Sequence, residues 1–146
     1  MSASNLVFKK KFKLSKRQLF DAWSNPQIMQ RWFFGGTLRE NCCTVENQFV
    51  TNGNYKITMH FLDGSDSELY GKYLEINRYN TIVFTWSNHL VKDTIVKLHF
   101  KELSSNTSEL MLEHSLFPDD NSRRLHNQGW EKCLENLSIA LESASI

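Results

Sequence analysis

The chain is short of the features that announce most chemistries. Its 146 residues include three cysteines, two prolines and six glycines. Cys42 and Cys43 are adjacent and Cys133 lies far away, so they make no disulfide framework. A reducing, cytoplasmic setting is expected. No stretch is apolar for long enough to span a membrane, and the first ten residues lack the apolar core of a signal peptide. An excess of one charge is missing too. Lys and Arg number 17 against 16 Asp and Glu, a net charge of +1, which argues against nucleic acid or an anionic membrane as partner. No glycine-rich loop opens a helix (Gly35-Gly36 follows one), so no phosphate cradle is expected. A G-x-S-x-G elbow is absent. No two His, Cys or acidic residues stand at ligand spacing on one element, and neither a metal nor a cofactor is expected. Repeats, linkers and low-complexity runs are lacking. The length predicts one domain over residues 1–146, able to bury about 68–70% of its unfolded surface.

What the chain does have is aromatic residues and clean periodicity. Aromatics make up 12%, with ten Phe and four Trp. Leu6, Phe8, Phe12 and Leu14 alternate with Val7, Lys9, Lys11 and Lys13, a strand with one wet face. Those lysines, with Lys16 and Arg17, read as a solvated edge rather than a nucleic-acid patch. Ser15-x-x-Gln18 is a capping box for a short helix carrying Leu19, Phe20 and Trp23. Asn25-Pro26 opens a second, carrying Ile28, Met29, Trp32 and Phe33. From Cys42 to Leu116 the period is two. Strands are expected at Val45–Val50, Tyr55–Phe61, Glu68–Ile76, Thr81–Ser87, Thr94–Lys101 and Glu109–Leu116, with a hairpin at Asp63-Gly64. The last stretch, Asp120 to Ser143, places His126, Trp130, Cys133, Leu134, Leu137, Ala140 and Leu141 on one arc. That is one long helix laid against a core, about 33 Å in length.

This order predicts an α+β fold: a curved antiparallel sheet of about six to seven strands, two short helices after the first strand, and one long C-terminal helix across the sheet. One helix is narrower than the concavity it crosses, so a gap is expected between them. Tyr55, Met59, Tyr73, Trp86 and Trp130 would line it, an apolar pocket with a few polar handles. The full set of candidate ligand-binding residues adds Trp32, Leu98, Leu112, His114, His126, Cys133, Leu134 and Leu137. His114 and His126 lie on the apolar faces and near one mouth. Either can serve as a general base or hydrogen-bond a ligand. Equally, each can be a core histidine satisfied by a carbonyl or hydroxyl. Cys133 reads as a small buried hydrophobe. Gly129 inside the last helix costs about 1 kcal/mol against alanine, which implies a close backbone approach there, to a strand or to whatever fills the cavity.

A set of motifs in fixed order covers nearly the whole chain: Asp21-Ala-Trp23-Ser-Asn-Pro26, Arg31-Trp32-Phe33, Gly53-x-Tyr55, Gly71-x-Tyr73-x-Glu75-Ile76, Phe84-Thr85-Trp86, and His126-x-x-Gly129-Trp130 with Leu134 and Leu137. The sequence resembles the activator-of-Hsp90-ATPase homologue family, within the START-like (Bet v 1-like, polyketide cyclase) superfamily. The resemblance implies the helix-grip fold. Two departures stand out. Gly53-Asn54 replaces the usual Gly-Gly, and the co-chaperone that names the family carries a further N-terminal domain with no counterpart in these 146 residues. Three functions are then open. The first is a non-enzymatic domain binding a small hydrophobic or aromatic molecule between sheet and helix. The second, which the family name implies, is a module binding a chaperone or another protein. The third is a cyclase- or dehydratase-like enzyme using His114 or His126.

Overall fold

The computed structural model describes residues 4–33, 38–61 and 63–142, and the backbone alone at 38–42. Strand β1 (Leu6–Phe12) leads into helices α1 (Lys16–Asp21) and α2 (Pro26–Trp32). Six strands follow: β2 (Leu38–Asn47), β3 (Asn54–Phe61), β4 (Asp66–Asn77), β5 (Thr81–Trp86), β6 (Thr94–Ser104) and β7 (Thr107–Ser115). Helix α3 (Asp120–Glu142) closes the described chain. The strands form one antiparallel sheet in the order β1-β7-β6-β5-β4-β3-β2. This is the curved sheet gripping a helix that the sequence predicts. Gly35-Gly36 lies outside the described residues.

Local chemistry explains the element ends. The Ser15 hydroxyl accepts from the Gln18 amide at 3.1 Å and the Gln18 side chain accepts from the Ser15 amide at 2.9 Å, a complete capping box. Asn25 accepts from the Gln27 amide, with Pro26 at the first helical position. At the start of α3 the Asp119 carboxylate accepts from the Ser122 amide at 2.7 Å, which holds its pKa below the usual value. The sequence-based strand at 45–50 is displaced. β2 spans Leu38–Asn47 and pairs Cys43 with Met59 and Asn47 with Tyr55, while 48–53 form the turn. Alternation along 38–44 is poor, and pairing with β3 decides the outcome instead.

Helix α3 has 23 residues, about 34 Å, and seven strands at about 4.8 Å spacing span roughly 29 Å, so one helix crosses the sheet. It buries Ser122, His126, Trp130, Cys133, Leu134 and Leu137. Opposite them lie the inward residues of the strands, among them Ile82, Val96, Leu98 and Leu112, each fully buried. Helices α1 and α2 plug the side of the barrel with Leu19, Phe20, Trp32 and Phe33. All four tryptophans join one file: Trp32–Trp23 at 4.7 Å between ring centroids, Trp23–Trp130 at 5.9 Å, and Trp130–Trp86 at 4.8 Å. The offset geometry favours such ring pairs beyond their buried area. Among the described residues no helix is long and apolar enough to cross a membrane.

Candidate functional site

The file of indoles ends at a cavity. Trp86 from β5 and Trp130 from α3 form its inner wall, and Met59 of β3 and Leu69 of β4 form its floor. The outer rim pairs the loop after β5, Asn88 to Leu90, with the Leu125, Gly129 and Cys133 side of α3. Its volume is about 160 Å³. Tyr55 and Tyr73 face a separate void of about 10 Å³, bounded also by Trp23, Met29 and Phe33. That space is the size of a single water at most. The interior is thus filled at the end near α1 and α2 and open at the end near the β5–β6 loop.

The polar groups around the cavity form two hydrogen-bond chains whose directions are determined by their ends. The Trp130 indole N–H can only donate, and it donates to His114 Nδ1 at 3.0 Å. The His114 proton therefore sits on Nε2, which donates to the Thr94 hydroxyl at 2.8 Å. Thr94 passes its own proton to the Trp86 carbonyl at 2.7 Å. His114 is fully buried, and burial, with His126 adding to it, lowers its pKa to about 3. In the second chain the Ser122 carbonyl accepts from His126 Nδ1 at 2.7 Å. Asn88 Oδ1 accepts from the amides of Leu90 at 2.8 Å and Val91 at 3.1 Å, which turns the amide nitrogen toward His126 Nε2 at 3.1 Å. His126 Nε2 is thus an unprotonated acceptor. Burial depresses its pKa, the Ser122 hydrogen bond opposes this, and His89 reinforces it.

The sequence-predicted residues divide accordingly. Met59, Trp86, His126, Trp130 and Cys133 meet at the cavity. His114 stands behind Trp130 rather than in the wall. Trp32, Leu98, Leu112, Leu134 and Leu137 are core, and the Trp32 N–H is taken by the Ala22 carbonyl at 2.9 Å. The Tyr55 hydroxyl donates to the Thr85 carbonyl at 2.6 Å, and Tyr73 accepts from Asn47 at 3.2 Å. Burial raises both phenol pKa values, that of Tyr73 to about 12, so neither ionises near neutrality. Sequence reasoning missed Leu69, Asn88, His89, Leu90 and Leu125. The loop members carry no periodic signal, and only the fold brings them against α3. Of the two approaches expected at Gly129, a strand or the contents of the cavity, the strand is absent: beyond its own stretch of helix no atom lies within 4 Å of where its Cβ would be, and the residue lines the cavity. The glycine stands at the open rim. Among the described residues no group of three His, Cys, Asp or Glu is placed to hold a metal. His114 and His126 each have both ring nitrogens engaged.

The sequence model of the activator of Hsp90 ATPase homolog 1-like protein family matches residues 13–142. The chain belongs to this family. Solved structures carry the same helix-grip fold. The AHSA1 protein from Silicibacter pomeroyi superposes with a TM-score of 0.80 at 18% identity, covering 97% of this chain and 99% of its own. A protein from Chromobacterium violaceum gives 0.79 at 18% identity, with 96% and 99% covered. An HSP90 activator from Plasmodium falciparum gives 0.73 at 18% identity, with 96% and 97% covered. No curated protein sequence matches. At these identities the likeness shows the fold, while membership of the Hsp90-activator homologue family rests on the sequence match.

Proposed function

We propose that this member of the Hsp90-activator homologue family binds one small, flat, apolar molecule in the cavity walled by Trp86 of β5 and Trp130 of α3. The observation carrying this reading is the cavity itself. It offers about 160 Å³ of space, open at one end and lined almost wholly by apolar side chains whose surface a guest would take out of water. An engineered apolar cavity of about 150 Å³ takes up benzene, so the size suits one ring and is too small for a long acyl chain. Two indole faces favour a planar guest.

The test is native mass spectrometry of protein freshly purified from cells, beside the same sample denatured. A stoichiometric extra mass that disappears on denaturation supports binding and gives the ligand class. A bare mass, together with no shift in melting temperature across a panel of one-ring compounds, would sink it.

A second reading, a chaperone-associated module, draws on the family and on an open groove beside the cavity rim, where Tyr70, Leu90 and Leu116 are exposed. Trp32 and Phe33 are buried at 1% and 2% and present no surface to a partner. Stimulation of a chaperone's ATPase by the purified chain, abolished by Leu116→Asp, would favour this second reading.

A further inference from the structure

The hydrogen-bond directions around the cavity define what the guest can carry. No Asp, Glu, Lys or Arg stands in the wall. A charged guest would lose its hydration without a counter-charge, which is among the heaviest penalties a binding site can impose. His126 Nε2 already accepts from Asn88, and its Nδ1 proton is held by Ser122. Trp86 contributes ring surface only, because its Nε1 is sealed inside the wall and meets no acceptor. His89 is exposed on the solvent side of the rim.

Asn88 remains. Its oxygen is consumed by two loop amides and one of its two amide hydrogens by His126. The second hydrogen has no acceptor among the described residues, and the side chain stands in the cavity rim. A primary amide fixed in this way offers a donor and nothing else. Resting on the binding reading above, we propose that Asn88 sets specificity: the guest is a neutral one-ring molecule bearing a hydrogen-bond acceptor, such as an aryl ketone, aldehyde or ether, whose oxygen takes the second Asn88 amide proton.

The guest's apolar ring then lies against the wall that the two indoles form while its acceptor points toward the β5–β6 loop. The selection works through the unpaired donor: an apolar guest of the same shape would bury that N–H without a partner. Specificity sites built on one buried polar group discriminate in this way between isosteres.

The experiment compares acetophenone with α-methylstyrene, planar molecules of the same shape differing in C=O against C=CH2, with benzoate as a charged control. Affinities come from titration of the full chain, alongside the 15N-labelled side-chain amide resonances. Acetophenone should shift the Asn88 amide pair and α-methylstyrene should leave it nearly in place, with benzoate failing to bind. Asn88→Asp keeps the oxygen that organises the loop and removes the donor. It should weaken acetophenone relative to α-methylstyrene by about five- to tenfold. Equal shifts from both probes, an unchanged affinity ratio in the variant, or benzoate binding as tightly as acetophenone would overturn the assignment of Asn88. If neither neutral probe binds the folded protein, the binding reading itself falls and this inference with it.

Discussion

Gly129→Ala should make this protein more stable. The residue lies in the interior of a 23-residue helix, where glycine costs about 1 kcal/mol against alanine through backbone entropy alone. A helical glycine usually has an offsetting reason, most often a neighbouring backbone that leaves no room for a Cβ. Here nothing beyond its own stretch of helix lies within 4 Å of the Cβ position, so alanine meets no clash with the rest of the fold. The full gain of about 1 kcal/mol should therefore appear, a rise of roughly 3–4 °C in melting temperature for a chain of this length. Urea denaturation should show a higher midpoint with an unchanged slope, because the surface exposed on unfolding is nearly the same. A stability that falls, or fails to rise, would show that the rim at Gly129 is closed and that the cavity's mouth has been misplaced. The same substitution narrows that mouth, so the stabilised variant should bind a one-ring guest no better than the parent. Gly129→Leu, which reaches toward Leu125 and Leu90, should slow both entry and release.

Acid should destabilise the fold over a defined window. The folded pKa of His114 is lowered to about 3 and that of His126 is lowered as well, so between pH 6.5 and about 3 the unfolded chain binds more protons than the folded one. Stability is thus fully present above pH 6.5 and is lost as pH falls toward the folded values. His114→Gln should cost stability at neutral pH yet flatten that slope, read from denaturation curves at pH 7 and 4.5. Gly71→Ala should be severely destabilising, by about 3–5 kcal/mol, because its Cβ would stand 2.0 Å from the Thr85 carbonyl oxygen and 2.7 Å from the Tyr55 ring; a soluble variant of near-parental melting temperature would refute the packing of β4 against β5. Leu137→Ala, at a fully buried position, should cost about 2–5 kcal/mol in denaturation without altering the cavity wall, since Leu137 does not reach it.

Periodicity made most of the fold legible. The arc of α3 and the alternation of β3, β5, β6 and β7 each required only that one face be apolar, and the structure buries those faces. The stretch at 38–47 was illegible because Cys43 and Val45 take their places from Met59 and Ile57 across the ladder, a long-range pairing that leaves no local mark. The site was legible only in part. Trp86, His126 and Trp130 announce themselves as large or titratable residues on apolar faces. Asn88 does not, because a Trp-Ser-Asn-His-Leu run reads as an ordinary turn until the loop folds against α3. His114 shows the opposite failure. Its position on the inward face suggested chemistry, whereas a tryptophan N–H sixteen residues away fills its lone pair. Hydrogen bonds between elements follow no sequence period, so neither the tautomers nor the donor left over at Asn88 could be read in advance.

The pairing of β1 with β7 has a consequence for how the protein is made. Leu6 finds its partner His114 only after roughly a hundred more residues have been added, about 5–20 s of synthesis at ordinary ribosomal rates. Through that interval the first strand is on hand with no neighbour on either side, since β2 closes the far edge of the sheet. Lys9 and Lys11 on its outward face then act before the native state exists, discouraging the nascent strand from joining another chain. Replacing both by threonine should leave the finished protein's stability nearly unchanged while lowering its soluble yield during expression.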